Sequence, residues 1–174
     1  MKQRSTIVFI VINVVLLAFM TGCGYKPSAH YAKQVVGEKV STEVIVSMQD
    51  PENTVIIKDA IQKAVINRFH ASLTKRGAAD THLRIVLRNV AFSPLQYDEN
   101  GYIVVYRTLV SLQITRITGE AKTLYPVSGI YDFVIEPNAI ISDQARFEAI
   151  QFGAQKAIDS FAARVAAEGV RNSK

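Results

Sequence analysis

Residues 98–115 read DENGYIVVYRTLVSLQIT, and the parsing of this stretch decides the fold. Asn100-Gly101 readily takes the positive φ angles of a tight hairpin turn. Beyond it Tyr102, Val104, Tyr106, Val110, Leu112 and Ile114 share one parity, while Arg107, Ser111, Gln113 and Thr115 take the other. That period of two predicts a long, half-buried strand. Before the turn, Leu83, Ile85 and Leu87 alternate with His82, Arg84 and Arg88, and the pattern runs on to Phe92, a strand that can pair back across the hairpin. After Thr118-Gly119-Glu120 turns the chain, Tyr125, Val127, Gly129, Tyr131, Phe133 and Ile135 form the inner face of a further strand, with Ser128 and Asp132 pointing away.

Two one-sided helices flank this meander. Asp50-Pro51-Glu52-Asn53 carries helix-start chemistry, and Ile57, Ile61, Ala64, Val65, Phe69 and Leu73 then recur at spacings of three and four, predicting a helix that ends near Gly77. Ser142 can cap a second helix reaching Glu168, with Phe147, Ile150, Ala154, Ala157, Ile158, Phe161 and Val165 as its stripe and Gly169 closing it. A first strand alternates from Val40 to Met48. The order β-α-β-β-β-α predicts an α+β domain over residues 38–174, one four-stranded mixed sheet with both amphipathic helices packed on one face. The opening strand-helix-strand unit should cross over right-handed. The opposite sheet face is left with Lys39, Glu43, Arg84, Arg88, Arg107, Ser111, Gln113 and Thr115, a polar surface that asks for a partner.

The N-terminus reads as an export signal. Lys2 and Arg4 precede an apolar run from Ile7 to Met20 broken only by Asn13, and small residues follow. As a helix that run is roughly 21 Å long, short of a bilayer core of about 30 Å. Met20-Thr21-Gly22-Cys23 resembles the lipobox of bacterial lipoproteins, which implies a cleaved signal peptide at 1–22 and a mature chain lipidated on Cys23; Met20 stands where the pattern usually has Leu, Val or Ile. Gly24 in place of Asp matches the sorting pattern for the outer membrane. Cys23 is the only cysteine, so the domain has no disulfide and relies on its core. Residues 23–37 show no clear periodicity and read as a lipidated tether. The formal net charge of +5 falls by two when Lys2 and Arg4 leave, and no basic block or RNA-binding aromatic motif is present, so nucleic acid is not an expected partner.

Catalytic chemistry finds little footing. His30, His70 and His82 form no i,i+4 pair and have no second cysteine to share a metal, and no G-x-S-x-G elbow or phosphate-cradling glycine loop occurs. Asp98-Glu99-Asn100-Gly101 reads better as a turn than as a calcium loop. No enzyme and no cofactor are expected. Arg84 and Arg88, four apart on a strand and so about 13 Å apart on one face, could meet phosphates, with Arg107 joining from the next strand; pairing with Glu43 and solvent is the plainer reading.

In this order of elements the chain resembles the LptE family of lipopolysaccharide-assembly lipoproteins. The likeness rests on Gly22-Cys23-Gly24-Tyr25, the Asn100-Gly101 hairpin with its long following strand, Leu124-Tyr125-Pro126-Val127-Ser128, and the late helix entered through Pro137, Asn138 and Ala139. The resemblance implies an outer-membrane protein lodged as a plug in the barrel LptD, with a role in barrel assembly and in delivering lipopolysaccharide to the outer leaflet. Basic residues that relatives place before the Asn-Gly turn and near the start of the last helix are here Glu99 and Ser142, so lipopolysaccharide contacts would move to Arg84, Arg88, Arg107 or Lys122. The alternatives are an envelope accessory lipoprotein that regulates a peptidoglycan synthase, or one assisting another lipid transporter. A tether of about a dozen residues spans near 20 Å, which favours a partner at the membrane.

Overall fold

The computed structural model describes residues 28–45, 51–137 and 139–172. The signal peptide, Cys23, Asp50 and Asn138 lie outside them. The hairpin forms where the Asn-Gly pair places it: Gly101 has φ 82°, and Asp98 Oδ1 accepts the N–H groups of Asn100 and Tyr102 at 2.9 and 2.8 Å. It joins β3, Thr81–Tyr97, to β4, Ile103–Thr118, and β5, Ala121–Val134, returns antiparallel along β4. A bulge between Leu87 and Asn89 shifts the register of β3 by one residue. Its core-facing positions therefore pass from the odd series Leu83, Ile85, Leu87 to the even series Val90, Phe92.

Strand β1, Lys39–Ile45, pairs parallel with β3, and helix α2, Pro51–Phe69, makes the crossover between them. Helix α3, Asp143–Asn172, lies on the same side of the sheet. Ile61, Val65 and Phe69 of α2 meet Ile158 and Phe161 of α3 over Leu83, Ile85 and Ile114, with Phe69 and Phe161 edge to face at 5.7 Å. Close approach of α3 is possible because Gly129 of β5 faces the backbone of Gly153; a Cβ at Gly129 would overlap the Gly153 carbonyl and the Ala157 amide.

Three expectations need correction. The sheet has five strands, in the order β2-β1-β3-β4-β5, because α2 stops at Phe69 rather than near Gly77. His70 reverses the chain at φ 50°, and Ser72–Leu73 becomes β2, pairing parallel with Lys39 and Val40. Leu73 keeps helical spacing from Phe69, yet it serves an edge strand. The segment read as a tether contains helix α1, Ser28–Val36, which presents buried Ala32 and Val36 to the core at an i,i+4 spacing. Gly169 does not end α3; it is buried inside the helix, where the absence of a side chain admits the carbonyl of Tyr31.

Candidate functional site

The face of the sheet turned away from the helices is built from the parity opposite to the core. From β1 it receives Ser41 and Glu43, from β4 Arg107, Leu109, Ser111, Gln113 and Thr115, and from β5 Leu124, Ser128, Ile130, Asp132 and Val134. It is less polar than the sequence reading supposed. Leu124, Ile130 and Val134 are 54%, 50% and 77% exposed, and Leu109 lies directly across from Ile130. The signal was present in the β5 alternation, since these residues share a parity with Ser128 and Asp132.

The three arginines that could meet phosphates together, Arg84, Arg88 and Arg107, are kept apart, and Lys122 stands away from them. Arg107 is bound to Asp132 on the neighbouring strand through Nε and Nη2, at 2.8 and 2.7 Å. Those hydrogen bonds hold the Asp132 carboxyl below its ordinary range and raise the guanidinium further. Arg84 stands opposite Thr115, eight residues from Arg107 along β4, so about 27 Å separates the two at roughly 3.4 Å per residue. Among the described residues Arg84 makes no ion pair. Arg88 occupies the bulge and donates from Nε to Gln113 Oε1 at 2.8 Å. Lys122 is across from Ile117, at the end of the sheet farthest from the Asn-Gly hairpin. No single phosphate could bridge the row.

His82 belongs to a hydrogen-bonded chain that crosses from β1 to β3. Its Nδ1 is 2.8 Å from Ser41 Oγ and its Nε2 is 3.1 Å from Glu43 Oε2, while Arg76 approaches the same carboxylate at 4.0 Å. Hydroxyl, imidazole and carboxylate in a line resemble a nucleophile arrangement, but Ser41 is only 4% exposed and no substrate could reach it. The chain ties the parallel strands together. Among the described residues there is no cluster of three metal-ligating groups, and no helix is long and apolar enough to cross a membrane.

A second polar lock fastens the end of α3 to the sheet. Arg116 Nη2 donates to Glu168 Oε1 at 2.7 Å, and the Tyr125 hydroxyl donates to Glu168 Oε2 at 2.5 Å. Burial, reinforced by the hydrogen bond to Glu168, pushes the Tyr125 phenol up to about 12. Burial also raises Glu168, but the hydrogen bonds from Tyr125 and Arg116 outweigh it and hold the carboxyl below its ordinary value.

At the other end the strands outrun the helices. Phe133 stacks on Tyr106 and meets Phe92 edge to face, with ring centroids 6.1 and 6.3 Å apart, and Arg146 of α3 lies 5.0 Å over the Phe92 ring. The result is a half-exposed aromatic overhang on the helix side.

Comparison with known proteins supplies a context for this architecture. The sequence model of a family described as lipopolysaccharide-assembly matches residues 42–165. No curated protein matches the chain. Among solved structures, a protein from Xanthomonas campestris is 11% identical, covering 80% of this chain and 89% of its own, with a TM-score of 0.52. The rare lipoprotein B of Shewanella oneidensis is 13% identical over 78% of this chain and 92% of its own, at a TM-score of 0.43. A lipoprotein B of Nitrosomonas europaea is 12% identical over 78% and 88%, at 0.48. At such identity the Xanthomonas structure speaks for the fold alone.

Proposed function

We propose, from the premise that this chain belongs to the LptE lipopolysaccharide-assembly family, that it is an outer-membrane lipoprotein, anchored through Cys23, that partners and plugs the LptD barrel during insertion of lipopolysaccharide into the outer leaflet. The observation that carries the reading is the open sheet face. Across β4 and β5 it is broad and open, Asp132 neutralises Arg107, and polar rows alternate with Leu109, Ile130 and Val134. The lumen of an outer-membrane barrel is polar, and a plug that fills it needs such a mixed surface rather than one apolar patch. No catalytic step is assigned to it.

Helix α1 weighs against the alternative of a regulator reaching across the periplasm to a synthase. It takes residues 28–36 out of the segment read as a tether, so less chain is left to span a gap. Any direct lipopolysaccharide contact falls to Arg84, which makes no ion pair among the described residues, and to Arg88, whose charge is held only by the neutral Gln113, because Arg107 is already neutralised by Asp132 and Lys122 lies at the sheet's end.

Crosslinking the mature lipoprotein in outer membranes and identifying what it retains tests the partnership. A large barrel is the expected product, and a periplasmic synthase in its place overturns the reading. For the lipid, the double charge reversal Arg84→Glu and Arg88→Glu should reduce retention of lipopolysaccharide in a pull-down; unchanged retention removes the direct contact.

A further inference from the structure

We propose that the free edge of β5 between Ser128 and Val134 is a docking site for one extended polypeptide segment of a protein partner, which adds to the sheet as a further strand, apolar on alternate residues and acidic where it passes Lys156. The site lies at the rim of the sheet, is distinct from the open face, and stands whether or not that face meets a barrel.

Strand β5 ends the sheet order, so only one side of its backbone is paired. Ile135 N–H donates to Val104 O at 3.0 Å, which puts the odd-numbered residues of β5 in the hydrogen-bonded pairs with β4. The even-numbered residues therefore turn their N–H and C=O groups outward. Two observations fix the phase. Pro126, which has no N–H to give, falls at an outward position, and the outward Ser128 carbonyl accepts from the Ser160 hydroxyl of α3 at 3.4 Å. What remains is the Ser128 N–H and both backbone groups of Ile130, Asp132 and Val134, none with a partner among the described residues. They run along about 20 Å of strand at 3.4 Å per residue.

Sheet edges of this kind are ordinarily blunted by a lysine, a proline, a bulge or a covering segment. Toward Tyr125 the edge has Pro126. From Ser128 to Val134 the described residues supply none of these: β4 and β5 pair without a shift of register, Ile130 and Val134 are exposed, and the one charged residue, Asp132, is turned back onto Arg107.

Helix α3 provides one wall. Phe152, Lys156 and Ser160, about one turn apart, follow the edge. Phe152 stacks on Tyr131 with centroids 4.8 Å apart, the Lys156 Cβ lies over Gly129, and Ser160 reaches Ser128. A strand laid along β5 sends alternate side chains to this wall and to the open face, where Ile130 and Val134 are its neighbours. Backbone donors and acceptors repeating at that period are matched by another extended backbone. Lys156 is exposed and makes no ion pair among the described residues, while Glu148, about one turn before Phe152, takes a hydrogen bond from Gln144. The wall thus asks for an acid beside Lys156 and not beside Glu148. A second copy of this chain does not fit, because α3 sits directly on β5 at Gly129. Pairing two such edges would bring two helices about 5 Å apart, against the roughly 8–10 Å that packed helices need.

The full-length protein, purified in detergent, is titrated with a synthetic peptide of about eight residues that alternates Val and Thr and carries one Glu. Hydrogen exchange at the Ile130, Asp132 and Val134 amides should slow by about tenfold or more. N-methylation of alternate peptide residues in one phase should weaken binding by at least about tenfold, and in the other phase should leave it within about twofold. Ile130→Pro, which removes one outward N–H as Pro126 already does, should weaken binding by about tenfold, and Ile130→Val should not. Lys156→Glu should cost about threefold and shift preference to a peptide with Lys in place of Glu. Equal affinity of the two N-methylated peptides for the wild-type protein, or slowed exchange only at other amides, overturns the site. Slow exchange of the same amides in the protein alone, at twice the monomer mass, gives the edge to a second copy and overturns the occupant.

Discussion

Under the helices, Val110, Leu112 and Ile114 of β4 are 0–2% exposed, whereas on the same strand and face, nearer the hairpin, Tyr106 is only half-buried and Tyr102 just beyond the strand is 45% exposed. Alternation is the same in both halves, so it sets only which face turns inward. Depth is set by what lies above: from the Gly129–Gly153 contact toward Tyr125 the sheet is covered by α3 and α2 together, whereas toward the hairpin only the first turns of α3 reach it, through Phe152 on Tyr131 and Arg146 over Phe92. The covered half is a packed interior. The overhang is held by ladder hydrogen bonds and by the Phe92, Tyr106 and Phe133 rings.

The sharpest way to break that contrast is to lift α3 from the sheet. Gly129→Val places side-chain atoms where the Gly153 carbonyl and Ala157 amide now are, and neither can move without displacing the helix. Urea unfolding should show a loss of more than about 4 kcal/mol, or no folded protein. Next come two phenylalanines. Phe161→Ala empties a fully buried site between Phe69 and Tyr125 and should cost about 3–4 kcal/mol, while Phe133→Ala in the half-exposed overhang should cost about 1–2. Equal costs for the two would mean that the overhang is part of the same core.

The polar lock on the covered half has a pH signature. Folded Tyr125 keeps its proton to about 12 against an ordinary 10, so the stability it adds is complete below pH 10 and is lost as pH rises from 10 toward 12. Glu168 has the opposite sense: its carboxyl is held below 4.5, so its contribution is complete above that value and is lost as pH falls through the folded pKa. Tyr125→Phe should flatten the alkaline limb of a stability profile by an amount on the order of 1–3 kcal/mol and leave the overhang untouched. An unchanged alkaline limb would place the lock outside the energetics of the fold.

The covered half was legible from period alone. Alternation in β3–β5 and the stripe on α3 name most of the buried residues, because a long regular element repeats its signal many times. Short elements repeat it once. Helix α1 shows only Ala32 and Val36, and β2 is two residues whose identity as a strand comes from pairing with Lys39 and Val40 rather than from any pattern of their own. The bulge at Leu87–Asn89 is legible in hindsight, as the point where apolar residues change parity between Leu87 and Val90. The arginines make a different point: a strand pattern gives the face of each but not its neighbours across the sheet, and it is register that gives Arg107 to Asp132 and leaves Arg84 some eight positions away.

That register carries the smallest expected effect. Arg107 and Asp132 are joined by two short hydrogen bonds, yet their side chains are 41% and 37% exposed, and water competes for both partners. Arg107→Ala should leave the urea midpoint within the scatter of surface substitutions, and added salt should change the wild-type midpoint as little. Retention of the proposed barrel partner is where the pair should register, because without Arg107 the open face presents Asp132 uncompensated beside Leu109 and Ile130. A midpoint shift as large as that of Phe133→Ala would show that this face contributes to holding the overhang together, and the division between a structural face and a presenting face would have to be redrawn.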